Sequence, residues 1–231
     1  MNRVTRTLVL LVSLSCSLPA ISYAAPFGHL APGMGVQERK IQSMQGRKYA
    51  NLIRQQTDFS CGAAALATIM KYAYRLEVDE QKVLQGLFAV SDPDVVLKRG
   101  FSLLNIKQYV EALGMRGRGY QVNMDTLNNL KIPTIILLDL NGYKHFVVLK
   151  KSDTDKVYVS DPALGNKIID KKDFVNQWNG IVFAVIGPGF DRNSVLLNPP
   201  PPLTARNLHN INAPVSDMDL LDFGFRYSEL F

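Results

Sequence analysis

Residues 55–66 read Gln55-Gln56-Thr57-Asp58-Phe59-Ser60-Cys61-Gly62-Ala63-Ala64-Ala65-Leu66. A polar, turn-prone segment runs directly into small and apolar residues whose helical pattern continues through Ala67, Ile69 and Met70. The junction predicts a helix start. Asp58 or Ser60 can serve as N-cap, because a short side-chain oxygen accepts a bond from an otherwise unpartnered backbone N–H. Cys61 then falls in the first turn, where the helix dipole and free N–H groups favour a thiolate over a thiol. Gly62 and the three alanines let other backbone approach closely. A cysteine so placed is either a nucleophile or a small buried hydrophobe at a tight helix contact, and this stretch alone leaves both readings open.

The start of the chain bears on that choice. Residues 1–24 read as a secretory signal, with Arg3 and Arg6 as the charged region and Leu8 to Leu14 with Leu18 as a short apolar region. Ser22-Tyr23-Ala24 offers small residues at the two positions a signal peptidase reads, so cleavage is expected before Ala25 and the protein is expected in the periplasm. The apolar run is too short for a comfortable membrane span. Ser13-Leu14-Ser15 is a poor lipobox, so lipidation at Cys16 is not expected. Removing the signal leaves Cys61 as the one cysteine. It has no internal disulfide partner, and a free thiol in an oxidising compartment is a liability unless buried or used. Two arginines and no acids leave with the signal, giving 24 basic against 20 acidic residues. That surplus is mild, its Lys98-Arg99, Lys150-Lys151 and Lys171-Lys172 doublets lack interleaved aromatics, and no nucleic-acid partner is implied.

Along the rest of the chain, residues 25–50 form a lead-in without clear periodicity, and a single domain is expected over 51–187. Val78 to Val90 reads as a second helix, broken by Asp92-Pro93-Asp94. Ser102 caps a third, whose Leu103, Ile106, Val110 and Leu113 recur at helical spacing before Gly114. Asp125 to Leu130 reads as one short turn. From Thr134 the pattern changes to strands: Thr134 to Leu140, His145 to Leu149, Val157 to Asp161, Lys167 to Ile169 and Ile181 to Ile186, with a brief helical or turn segment around Phe174 to Trp178. Asn141-Gly142 is a strong hairpin signal. Helices followed by strands indicate an α+β fold, N-terminal helices packed on an antiparallel sheet. Gly187-Pro188-Gly189 ends the domain in this reading. A Pro-rich linker and tail follow over 188–231, and the aromatic alternation Phe223-Gly224-Phe225-Arg226-Tyr227 reads as an edge strand or a docking peptide.

His145 opens a strand, where a histidine is more often a satisfied structural residue than a catalyst. A hairpin symmetric about Asp153 would pair Val147 with Val159, Leu149 with Val157, and His145 with Asp161. All would then share one face, and a Cys61 helix packed against it would bring the sulfur into line. The opposite face, with Phe146, Val148, Tyr158 and Ser160, is also largely apolar, so alternation leaves the inner face open. Opposed side chains have Cβ atoms about 4.5–5.5 Å apart, within reach of a carboxylate–imidazole bond that fixes the ring and favours imidazolium. A one-residue slip would undo the pairing. Sulfur, imidazole and carboxylate in line are what a thiol nucleophile requires. The Cys61 N–H and a side-chain amide, from Gln55 or the adjacent Gln56, can donate to a developing oxyanion.

Gln55, the run Asp58 to Leu66, Lys144-His145-Phe146-Val147-Val148-Leu149, and Asp161-Pro162 together resemble the C39 family of cysteine peptidases, from about Leu52 to Ile186. The resemblance implies a papain-like fold, Cys61 as nucleophile, His145 as general base, Asp161 as orienting acid and Gln55 in the oxyanion hole. It implies a peptide substrate, with cleavage after Gly-Gly as in the family's leader-processing transporter domains. The export signal makes the chain more similar to stand-alone exported members, some of which accompany secretion of extracellular amyloid fibres. A periplasmic endopeptidase is therefore expected, its substrate or partner a secretion-system or amyloid component. The alternative is a non-catalytic peptide-binding or chaperone module on the same fold. No metal or cofactor is expected, because no metal cluster, phosphate loop or dinucleotide fingerprint is present in the sequence.

Overall fold

The structure, a computed structural model, describes residues 43–199. Residues 1–24, read above as a signal, Cys16 among them, most of the lead-in and the aromatic tail lie outside the described residues.

Helix α1 (Met44–Lys48) is a short turn capped by Ser43. Helix α2 (Cys61–Tyr74) is the centre of the body, and its sequence CGAAALATIMKYAY is apolar nearly all round. A helix of that kind needs cover on every side. Helices α3 (Glu80–Ala89) and α5 (Leu103–Ala112) supply it on one flank and the sheet on the other. The polar Thr68 is satisfied in place, donating to Ala64 O at 2.7 Å and accepting from Ile53 N at 3.0 Å. Helix α5 starts with the expected Ser102, reinforced by a capping box with Asn105. Asp92-Pro93-Asp94 does more than break α3: it starts α4 (Pro93–Arg99). Asp92 caps that helix through Asp94 N, and Pro93 sits where a missing N–H costs nothing.

The sheet is wholly antiparallel and six-stranded. Its strands are β1 (Arg116–Gln121), β2 (Thr134–Leu140), β3 (Tyr143–Ser152), β4 (Lys156–Asp161), β5 (Gly165–Asp170) and β6 (Trp178–Ile186), in the spatial order β1-β6-β2-β3-β4-β5. Helices α6 (Met124–Asn128) and α7 (Lys171–Gln177) close its other face with Leu127 and Phe174. Strand β1 has no counterpart in the sequence reading. It is an edge strand of sequence RGRGYQ, exposed at five of its six residues, so it lacks the apolar alternation that marks a strand. Only Gly117 is buried, and a Cβ there would stand 2.7 Å from the Phe183 ring. Asn141 and Gly142 both adopt positive φ, as the two-residue β2–β3 hairpin requires.

The β3–β4 register corrects the symmetric pairing. Asp153 N bonds Lys156 O, so the turn centres on Thr154-Asp155 rather than on Asp153. A bulge between Leu149 and Lys151 absorbs one residue. Leu149 therefore faces Val159 and Val148 faces Ser160. Continued, that register sets Val147, not His145, across from Asp161. The net slip is two residues, an even number, so the sets of side chains sharing a face are unchanged.

Of the two apolar faces, helix α2 packs on the one carrying Phe146 and Val148, while Val147, Leu149, Val157 and Val159 belong to the opposite core with Leu127 and Phe174.

The chain does not leave the body at Gly187-Gly189. Asp191 N bonds Ala73 O at 2.8 Å, Ser194 Oγ donates to Tyr72 O at 2.6 Å, and Leu196 is fully buried in the core that contains α2. Leu196→Ala should cost about 2–5 kcal/mol, the usual range for emptying a buried leucine site. Urea unfolding of the two proteins checks this; an unshifted midpoint would show residues 190–197 to be an appendage.

Candidate active site

Asp161 ends β4 with its side chain completely buried. Proline at 162 keeps the preceding residue extended, so Asp161 stays on the sheet while the chain turns. An unpaired carboxylate there would be prohibitive. The turn supplies partners: Ala163 N and Leu164 N donate to Oδ1 at 2.9 and 3.0 Å. His145 Nε2 shares that oxygen at 2.7 Å, and Lys167 Nζ donates to Oδ2 at 2.8 Å. Burial alone would raise the Asp161 carboxyl. The hydrogen bonds and charges of His145 and Lys167 hold it well below the ordinary carboxylate range.

The two-residue offset explains how His145 and Asp161 meet. They are diagonal neighbours on one face, and the long imidazole spans the offset. His145 is 3% exposed. With Nε2 committed to Asp161, Nδ1 is buried and has no hydrogen-bond partner. Cys61 lies beside this ring, close enough for its sulfur to act on the imidazole although no hydrogen bond to Nδ1 is formed. Gly62 permits the approach although α2 covers the other face. A Cβ at Gly62 would lie 3.2 Å from the Phe146 ring, so helix and strand are in close contact next to His145. Burial pulls His145 down; the Asp161 hydrogen bond, with the nearby Asp161 and Cys61 groups, outweighs it and raises the imidazole to about 9.

Ser60 takes the N-cap position of α2 but does not cap it through its side chain. Its hydroxyl turns back, donating to Thr57 O at 2.8 Å and accepting from Thr57 N at 3.2 Å. The first-turn amides beside Cys61 thus have no side-chain cap.

The structure separates the two glutamines. Gln56 is exposed, and its N–H donates to the buried Glu80 carboxylate at 2.8 Å. Gln55 is half-buried, and its N–H donates to Pro162 O at 3.1 Å, one residue past Asp161. Its Nε2 donates to Thr57 O at 3.1 Å, while Oε1 is buried without a partner. An amide nitrogen carries two N–H groups, so one remains for another acceptor.

Cys61, His145, Asp161 and Gln55 are therefore all brought to one place. Three contributors escaped the sequence reading. Tyr143 stacks on His145 with centroids 5.9 Å apart and donates from its hydroxyl to Asp58 O at 3.3 Å. Glu80 anchors the loop ahead of α2, and Lys167 grips Asp161. Extending the period-two reading across the β4–β5 hairpin would have put Lys167 on the Asp161 face, since Lys167 pairs with Val159. Nothing local marks Glu80. Among the described residues no group of His, Cys, Asp and Glu forms a metal-binding cluster.

The model of the Peptidase C39 family matches residues 49–187, the span that contains the whole constellation. The chain belongs to this family. It is a cysteine peptidase. Over 200 residues it is 51% identical to a Pseudomonas fluorescens protein named probable functional amyloid protease FapD, covering 87% of this chain and 88% of that one. The Pseudomonas aeruginosa protein of the same name is 48% identical over 231 residues, the full length of both. The fold matches the crystal structure of the peptidase domain of Streptococcus ComA, a bi-functional ABC transporter, at TM-score 0.51 and 21% identity, covering 58% of this chain and 96% of that domain. No helix of the described residues is long and apolar enough to cross a membrane.

The ion pair gives the fold a pH dependence with a definite sign. His145 is raised above its ordinary 6.5, so its contribution to stability is full below that pH and is lost as pH climbs through about 9. Asp161 is lowered, so its contribution is lost as pH falls below the ordinary carboxylate range. In a ¹⁵N histidine titration His145 should titrate near 9 and move down in Cys61→Ala, since the sulfur is one of the groups raising it. A midpoint indifferent to Cys61 would place the sulfur out of contact.

Proposed function

We propose that the chain is a periplasmic cysteine endopeptidase in which Cys61 is the nucleophile, His145 the general base and acid, Asp161 the orienting group and Gln55 an oxyanion donor. The observation that carries this reading is the buried Nδ1 of His145, unpartnered and beside Cys61, while Nε2 is fixed on Asp161. A raised imidazole beside a sulfur at an uncapped helix start favours a thiolate–imidazolium pair.

In this mechanism the Cys61 thiolate attacks the peptide carbonyl carbon, and the carbonyl oxygen takes the electron pair. The Cys61 N–H and the Gln55 side-chain amide donate to that oxyanion. As the C–N bond breaks, the imidazolium gives its Nδ1 proton to the departing amine and a thioester remains. His145 then takes a proton from water, whose oxygen attacks the thioester. Collapse releases the carboxyl product and restores the sulfur.

The proposed substrate is a protein exported for functional amyloid assembly. The names of the two Pseudomonas relatives support this, together with the export signal at the start of the chain. Cleavage after Gly-Gly is the proposed site. Wild-type cells and a Cys61→Ser strain, compared by N-terminal mass spectrometry of periplasmic and secreted peptides, should differ by at least one neo-N-terminus following Gly-Gly. Identical sets, with full rescue of a deletion by Cys61→Ala, would make the protein a binding module. On the peptide so identified, Gln55→Ala should lower kcat roughly 10²–10³-fold, the loss seen on removing an oxyanion donor, while Gln56→Ala stays near wild type. Equal losses in the two variants would refute the assignment of Gln55.

A further inference from the structure

The site contains a cation that the proposed chemistry does not use. Lys167 Nζ donates to Asp161 Oδ2 at 2.8 Å, opposite the oxygen that serves His145. Its stem is mostly covered, with 29% of the side chain exposed, so this is a partly buried contact to a fully buried acid. A thiolate and an imidazolium together are neutral. Asp161 adds one negative charge where water cannot balance it, and Lys167 adds one positive charge in direct contact. Buried charges persist when they are paired and hydrogen-bonded.

We propose that Lys167 is a positioning residue of this peptidase, holding Asp161 in place and sharing its charge so that His145 does not have to balance the carboxylate alone. This rests on the roles given above to Cys61, His145 and Asp161. Without the ammonium the carboxylate acts on the imidazole alone, and the ring holds its proton more tightly. An imidazolium that holds its proton too firmly gives it up reluctantly to the leaving amine. Lys167 therefore sets how readily the site turns over, through Asp161 and without touching substrate.

Among the described residues, the other charged groups around the ring are few. Cys61 faces it from α2, Tyr143 stacks on it from β3, and the Asp58 and Asp161 charges bear on Tyr143. Lys48 of α1 packs over Gly165 in the turn after Asp161. Asp139 and Lys144 pair with each other at the hairpin end. Lys150 is buried, pushed down to about 8, and bonds Asn166 Oδ1 at 2.6 Å without touching Asp161.

The test is the His145 midpoint by ¹⁵N NMR in full-length wild type, Lys167→Gln, Lys167→Arg and Lys150→Met. Lys167→Gln keeps a hydrogen-bond donor and loses the charge; Lys167→Met is the second neutral variant should the first not fold. The midpoint should rise by roughly one unit in the neutral variant, the scale of removing a nearby charge, and stay at the wild-type value in Lys167→Arg and Lys150→Met. An unmoved midpoint in the neutral variant overturns the proposal. So does an equal rise in Lys167→Arg, which would make shape the cause, or in Lys150→Met, which would make it a general field. A wild-type midpoint at the ordinary value, unchanged by Cys61→Ala, would instead bring down the reading of the site itself.

Discussion

A carboxylate with no access to water determines the layout of this protein. Asp161 survives in the interior because four donors surround it: two turn amides, one imidazole and one ammonium. Each donor comes with a structural commitment. The turn amides fix residues 161–165, the imidazole fixes the start of β3, and the ammonium fixes β5. Losing any of them leaves buried charge exposed to a low-dielectric interior, which costs far more than one ordinary hydrogen bond.

The remaining elements bring a sulfur to this anchor. Helix α2 is almost featureless in side-chain chemistry, and that is its use: alanines and Gly62 let its first turn lie close to β3. The segment ahead of it is tied down at several points. Gln55 N is held by Pro162 O, Gln56 N by Glu80 and Thr57 by Ser60, while Asp58 O accepts from Tyr143. At the far end of α2, residues 190–197 cover the helix with Leu196 and Phe190. The helix is thus clamped at both ends, and motion along its axis is opposed where the sulfur needs a fixed position.

Much of this was legible in the residues. The cysteine helix, the capped third helix, the Asn-Gly hairpin and the meeting of His145 with Asp161 follow from periodicity, capping and face parity. Parity was robust because an even slip returns every side chain to its face. The register itself was not legible: it depended on a bulge at Lys150 and a tight Thr154-Asp155 turn, neither of which has a sharp signature. Strand β1 was hidden because an exposed edge strand needs no hydrophobic pattern. Helix α4 was hidden because proline marks a helix start as well as a helix stop. Which face α2 covers was ambiguous because both faces of β3 are apolar. Glu80 acts over a distance in sequence that no local pattern reports, whereas Lys167 required the period-two reading to be carried across the β4–β5 hairpin.

A charged imidazole that folding alone sets beside Cys61, before any substrate arrives, should show in the chemistry of the free thiol. The rate of alkylation of Cys61 by iodoacetamide at neutral pH measures that directly, set against a model thiol and against the His145→Ala protein. The wild-type rate should lie well above the model thiol and fall to or below it when the imidazole is removed. A wild-type rate no faster than the model thiol, or one that His145→Ala leaves unchanged, would contradict that pairing.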